Sequence, residues 1–206
     1  GADGYTIKPC AKETVGTTIT VTLKADTEDN KYSEFLEEYK LKGLIKKYSD
    51  YIRYPIKMLV TSQKLKEGSQ NEYETEITDE TLNSMVPLWK KTTSEATNEQ
   101  YSTFYKEKFY DFEDPLKVIK QKAEGGVNFE ALMFIPARAP FDFYSKDYEK
   151  GLQLYSSGVL IMDKCKDLLP DYFAFVRGVV DSSDLSLKIS REMLQQDRQV
   201  KAIAKA

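Results

Sequence analysis

Residue types that can contact an anion stand at helical spacing near the end of the chain. Ser190 is a good helix N-cap, so a helix is predicted to begin there, with Arg191 in its first turn. Gln195 follows four residues later, on the same helix face. A guanidinium beside free backbone N–H groups at a helix N-terminus favours phosphate binding. The pattern therefore allows a phosphate-contacting arginine, while an Arg191 that is solvated or paired with a carboxylate is the ordinary alternative.

Two aromatic segments are candidates for contact with another protein or another domain. Phe141 and Phe143 follow Pro140 just after a predicted strand, where a loop can present its rings or fold them into the core. Leu88 and Trp89 raise the same question, because the only tryptophan lies in a predicted loop. For both segments the sequence leaves an interaction surface and a local core as open alternatives.

The residue inventory excludes several kinds of catalytic site. The chain has no histidine, so Ser-His-Asp chemistry and Cys-His pairs are ruled out. Cys10 and Cys165 are isolated, which indicates reduced thiols and no metal site. The acidic groups at 111–114 and 181–184 lack EF-hand spacing and are interpreted as solvated turns or a helix cap. Without a glycine-rich phosphate loop, the chain is not expected to bind ATP unaided in the P-loop or dinucleotide manner.

The balance of charged residues limits the kinds of partner that the protein is expected to bind. The 206 residues carry 30 basic and 33 acidic side chains, which gives a net charge of -3 and no cationic surface for nucleic acid or anionic lipid. No apolar run approaches the ~20 residues that a membrane-spanning helix needs. The sequence predicts an ordered cytoplasmic protein, with neither nucleic acid nor membrane among its partners.

The first quarter of the chain changes from a strand pattern to a helix pattern. Alternation at Tyr5–Ile7 and Thr18–Leu23 predicts two strands of a hairpin. Apolar residues at helical spacing then predict a long amphipathic helix over 29–53. A strand is predicted at Ile56–Val60 and a loop over 61–71.

The remainder predicts strands and helices that share one sheet. A helix is expected at Asn98–Phe109, and a C-terminal helix is expected to turn Met193, Val200 and Ile203 toward the core. Gly125-Gly126 indicates a hairpin turn. The strands are predicted at Lys117–Lys120, Phe129–Ile135, Leu152–Tyr155, Val159–Met162 and Phe173–Val176.

Several motifs in consistent order resemble the heat-shock protein 90 family in its bacterial form. They are the segment 190–196 (SREMLQQ) with the preceding 178–185 (GVVDSSDL), the segment 134–142 (FIPARAPFD) and 87–89 (PLW). The resemblance runs from about Asp29 to the C-terminus. Lys188 and Asp197 depart from it, since the best-known members carry asparagines there.

The resemblance implies an architecture. It predicts an α/β fold, namely an α/β/α sandwich similar to domain 2 of ribosomal protein S5, preceded by a β-hairpin remnant and a long helix. Residues 1–28 would be the last strands of a nucleotide-binding domain with a linker, and 29–206 the large portion of a middle domain.

The resemblance also implies a function, that of an ATP-dependent chaperone segment. ATP and Mg2+ would be bound by the N-terminal ATPase domain, to which Arg191 would supply a γ-phosphate contact with Gln195 as its polar companion. The chain alone is expected to be inactive as an enzyme. Implied partners are that ATPase domain, unfolded client proteins contacted through Leu88, Trp89, Phe141 and Phe143, and a second copy joined through a C-terminal domain. The alternative is an interaction module without a catalytic contribution.

Overall fold

The computed structural model describes residues 4–66, 73–92, 94–185 and 198–206. The chain divides into two units, Gly1–Glu37 and Glu38–Ala206. Within the described ranges, no helix has the length and apolar character needed to cross a membrane.

The first unit has little regular structure in its described part. Its element there is a short 3-10 helix, Tyr32–Leu36, and the Asp26 carboxylate accepts hydrogen bonds from the backbone and hydroxyl of Ser33 just inside it. The predicted strands Tyr5–Ile7 and Thr18–Leu23 do not pair, and their apolar side chains are exposed except for Leu23, which is half-buried. This part of the prediction is wrong, because a lone two-stranded hairpin buries too little apolar surface to be stable in water.

The second unit begins with helix α1 (Glu38–Tyr48) and an antiparallel hairpin of β1 (Lys57–Leu65) and β2 (Tyr73–Thr81). Helix α1 is shorter than predicted, since the backbone at Glu37 is extended. The loop predicted from residue 61 is also wrong, because β1 continues to Leu65. The predicted loop implied a strand after it, but the bounds of β2 were not predicted: it reads YETEITDET and is almost wholly exposed, so it lacks the apolar alternation by which a strand is recognised.

Five strands form the central sheet in the order β3-β4-β7-β5-β6. All neighbours are antiparallel except β5 and β7, which are parallel. Strand β7 is the last in sequence and lies in the middle of the sheet. The strands are β3 (Lys117–Ala123), β4 (Phe129–Ile135), β5 (Leu152–Ser156), β6 (Val159–Cys165) and β7 (Arg177–Asp181).

Helix α2 (Asn98–Phe109) and strand β4 have the predicted bounds. Thr97 and Gln100 form a capping box at the start of α2, which satisfies two backbone donors. The strand predicted at Phe173–Val176 is wrong. A 3-10 turn at Asp171–Phe173 follows Pro170 there, and its internal hydrogen bonds replace those of a ladder.

The sheet separates two hydrophobic cores. Alternate residues of β4 point to opposite faces, with Phe129 and Ala131 in one core and Leu132 and Phe134 in the other. Helix α3 (Arg198–Lys205) covers the first face, and α2 covers the second. The mixed α/β fold predicted from sequence is therefore confirmed.

Candidate functional site

A buried carboxylate lies at the end of the central strand. Asp181, the last residue of β7, is only 4% exposed. Its carboxylate accepts hydrogen bonds from Trp89 Nε1 at 3.1 Å and from the backbone N–H of Gly158 at 3.2 Å, and Lys90 Nζ pairs with it at 3.0 Å. Three donors offset the cost of burying the charge. The interpretation of this acidic segment as solvated is thus wrong for Asp181, which connects β7, the β5–β6 turn and the segment before α2.

The residues that follow β7 are held by a dense set of hydrogen bonds. Ser182 donates its backbone N–H to Tyr155 O at 3.1 Å and its hydroxyl to Asn128 O at 2.6 Å. Asp184 accepts from the backbone and side chain of Asn128, and the backbone bond is the first cause of a pKa below the ordinary aspartate value. The Ser156 hydroxyl donates to Leu185 O at 2.6 Å. Hydrogen bonds therefore hold the backbone of residues 182–185 in place, directly before residue 186.

The chain is equally well held on the far side of 186–197. Val200 and Ile203 of α3 are 1% and 6% exposed in the core formed by one sheet face. These two positions were predicted to face the core, and that prediction is confirmed. Gln121 of the edge strand β3 donates to Ala206 O at 3.3 Å. Both ends of the segment are thus anchored to the sheet.

The predicted catalytic residues fall between these anchors. Arg191 and Gln195 lie outside the described residues, as does Met193, so their roles stay predictions. The described residues that flank them are Leu185, after β7, and Arg198, at the start of α3.

Trp89 and Leu88 belong to the core of the second unit. Trp89 is 0% exposed and its ring lies 4.6 Å from Tyr51 and 5.2 Å from Tyr155, measured between centroids. Leu88 is buried in the same cluster. Of the two alternatives left open by the sequence, the structure favours local core for both side chains, because a surface contact would require them to leave it.

Phe141 and Phe143 occupy different environments in one loop. Phe141 is fully exposed, whereas Phe143 is half-buried against Tyr144 and Tyr148 at centroid distances of 5.1 and 5.2 Å. The Tyr148 hydroxyl donates to Ala174 O at 2.8 Å and so ties this loop to the turn before β7. Phe143 therefore supports the loop, and Phe141 and Tyr144 are the rings it presents to solvent.

A second exposed aromatic, Phe112, was not singled out by sequence reasoning. Its side chain is 95% exposed, in the loop between α2 and β3. Arg138 Nε pairs with Glu113 at 3.1 Å, which brings this loop beside the start of the segment that carries Phe141. A bulky apolar residue between acidic neighbours in a loop was the available signal.

The described part of the chain contains no group of three His, Cys, Asp or Glu side chains placed to hold a metal ion. The donors gathered around Asp181 are already engaged with its carboxylate. What the arrangement provides is a rigid support for the segment that follows β7.

Comparison with known proteins identifies the class to which this fold and this segment belong. The sequence profile of the Hsp90 protein family matches residues 34–81 and 63–206. The chain belongs to the Hsp90 family.

The curated relatives are bacterial proteins named chaperone protein HtpG. Those of Bacillus subtilis, Alkaliphilus oremlandii and Clostridium botulinum are 62%, 60% and 60% identical over 205 residues. The match covers 100% of this chain and 33% of each relative, so the chain spans about a third of their length. Among solved structures, the middle domain of a heat shock protein of Plasmodium falciparum is 28% identical with a TM-score of 0.49, covering 58% of this chain and 46% of that one.

Proposed function

We propose that the chain is the middle segment of an ATP-dependent protein-folding chaperone of the bacterial cytoplasm. Residues 29–206 are the large part of the middle domain, and 1–28 correspond to the end of the nucleotide-binding domain with a linker. The observation that carries the proposal is the family match over 34–206, which includes the SREMLQQ segment. The names of the curated relatives support the chaperone role.

Arg191 supplies a positive charge to the γ-phosphate held by the ATPase domain, and Gln195 is its companion on the same helix face. The hydrogen bonds at Ser182 and Leu185 and the burial of Val200 support this role, since they anchor both ends of the segment. Such an anchored segment positions an arginine without a large entropic cost when the domains close. ATP and Mg2+ are bound by the ATPase domain, which supplies the nucleotide chemistry.

The chain also contacts unfolded client proteins, through Phe141 in the loop that follows β4. The full exposure of this ring favours that role, as does its place in a loop that Phe143 packs against Tyr144 and Tyr148, because an exposed aromatic beside other apolar groups is a typical protein-contact feature. Phe112, brought near by the Arg138–Glu113 pair, extends the surface. The full-length protein acts as a homodimer joined through a C-terminal domain.

The catalytic part of the proposal is tested in the full-length protein with Arg191→Ala. ATP turnover should fall by about 10²-fold or more, because an arginine that stabilises transferred phosphoryl charge contributes on that scale. Arg198→Ala is the matched control, since Arg198 lies exposed at the start of α3 and its loss should leave turnover within about twofold. Nucleotide affinity, measured by calorimetry, should change little in both variants.

The same experiment distinguishes the second candidate function, an interaction module without catalytic contribution, from the catalytic role of Arg191. Unchanged turnover in Arg191→Ala, together with weaker client binding in Phe141→Ser, would support the module and overturn the catalytic role. Client binding is measured as suppression of aggregation of a chemically unfolded protein. Tyr110→Ser, at another exposed ring after α2, is the control for a general loss of surface aromatics.

A further inference from the structure

The turn between β3 and β4 is joined to the residues that follow β7. Asn128 ends this turn, directly before the first residue of β4, and the residues after β7 lead to residue 186. The contacts between the two join positions that are 54 and 56 residues apart in sequence. The turn is therefore placed to influence the direction in which the chain leaves the sheet after β7.

Each of the four polar groups of Asn128 has a hydrogen-bond partner. Its backbone N–H donates to the Asp184 carboxylate at 2.8 Å, and its side-chain amide donates to the same carboxylate at 3.1 Å. Its backbone carbonyl accepts from the Ser182 hydroxyl at 2.6 Å, and its side-chain oxygen accepts from the backbone N–H of Gly125 at 3.1 Å. One residue thus closes the turn and joins it to Ser182 and Asp184.

Ser182 and Asp184 are also bonded to each other. The backbone N–H of Asp184 donates to the Ser182 hydroxyl at 3.2 Å, so the two residues and Asn128 form one closed network. Because Asn128 is exposed, its hydrogen bonds replace bonds to water and contribute modestly to the stability of the fold. What they determine is the direction of the backbone at 182–184 relative to β4.

We propose that Asn128 is a positioning residue for the phosphate contact of Arg191, and that it acts by holding Ser182 and Asp184 against the β3–β4 turn. The inference rests on the proposed function, in which Arg191, seven residues after Asp184, reaches the γ-phosphate. A displacement of about 1 Å in a positioned group can lower turnover about 10²-fold. Loss of the Asn128 bonds should therefore make productive contact rarer, while ATP binding by the ATPase domain stays the same.

The test is steady-state ATP turnover of the full-length protein with Asn128→Asp. This substitution keeps an oxygen for the Gly125 N–H but replaces the amide donor by a carboxylate, which repels the Asp184 carboxylate. The kcat should fall about threefold or more with the KM for ATP unchanged, because the lost geometry acts after nucleotide binding. Asn98→Ala, at an exposed asparagine that begins α2, is the control and should leave kcat within about twofold.

Asp184→Asn, added to Asn128→Asp, distinguishes positioning from general damage to the fold. In this double variant the amide at position 184 donates to the carboxylate at position 128, and its oxygen accepts from the backbone N–H of residue 128. The same contacts then form with the two side chains exchanged. The kcat should return to within about twofold of that of the unsubstituted protein. A double variant as slow as Asn128→Asp alone would overturn the proposal.

Arg191→Ala separates this inference from the function on which it rests. If Asn128 acts through Arg191, Asn128→Asp should cause no further loss of turnover once Arg191→Ala is present. A further loss, or normal turnover in Asn128→Asp when Arg191→Ala is impaired, would overturn the positioning role alone. Normal turnover in Arg191→Ala would overturn the proposed catalytic function and the positioning role with it.

Discussion

The indole Nε1 of Trp89 donates a hydrogen bond of 3.1 Å to Asp181 across 92 residues of sequence. The bond joins a segment before α2 to the last residue of the central strand. It also explains why an acidic side chain is stable in the core of this protein, since the carboxylate finds further partners in Gly158 and Lys90.

Asp181→Asn should destabilise the second unit by about 3 kcal/mol, because the amide directs N–H donors toward groups that already donate. Urea unfolding followed by tryptophan fluorescence measures the change. Asp79→Asn is the control: its ion pair with Lys57, at 2.8 Å, is half-exposed and should be worth about 0–1 kcal/mol. Equal effects for the two variants would show that the Asp181 carboxylate is not a structural centre.

Gly158 should not tolerate a side chain. Its φ is +84° and a Cβ would lie 2.2 Å from Tyr51 O, so Gly158→Ala should cost more than about 2 kcal/mol. Gly125 also has a positive φ, +131°, but open space around it, so Gly125→Ala should cost only about 1 kcal/mol. Thermal unfolding of the two variants distinguishes the cost of the steric clash with Tyr51, present only at Gly158, from the cost of the positive φ, present at both glycines. A loss at Gly125 as large as that at Gly158 would contradict this distinction.

The two thiols should differ in reactivity. Cys165 is buried, and burial raises its pKa to about 11, so it is protonated at pH 8 in the folded state. Cys10 is exposed. A maleimide reagent at pH 8 should modify Cys10 rapidly, whereas modification of Cys165 should need urea. Rapid labelling of both thiols without urea would show that the core around Cys165 opens readily.

Substitutions at Phe141 and Phe143 should differ in their effect on the free energy of unfolding. Phe141→Ser should change the free energy of unfolding by less than about 0.5 kcal/mol, because the ring is fully exposed. Phe143→Ala should cost about 1–2 kcal/mol through lost packing on Tyr144 and Tyr148. Chemical unfolding measures both, and a larger cost at Phe141 would reverse the assigned roles.

The parts of the fold that the sequence predicts well are those with strong local signals. Strand β4 (FEALMFI) is apolar except for Glu130, and α2 begins at a capping box, so both bounds follow from local chemistry. Strand β2 gives no such signal, because nearly all of it faces solvent and its pairing with β1 decides its conformation.

Part of the candidate site can likewise be predicted from a local signal, and part of it depends on contacts between residues distant in sequence. The SREMLQQ segment is recognisable from its motif, whereas the support provided by Asp181 depends on contacts with Trp89 and Gly158 that are distant in sequence. A valine pair directly before Asp181 was the available indication that the strand carrying it is buried. Which of two exposed-looking rings faces outward, Phe141 or Phe143, likewise depends on tertiary packing.

The position of β7 has a consequence for synthesis on the ribosome. Strands β3 and β4 form one hairpin and β5 and β6 another, and only β7 joins them, through antiparallel pairing to β4 and parallel pairing to β5. Until residue 181 has emerged from the exit tunnel, the nascent chain carries two separate hairpins with unpaired inner edges. Completion of the sheet is therefore a late, non-local step, and the half-made domain is the species most exposed to misassociation.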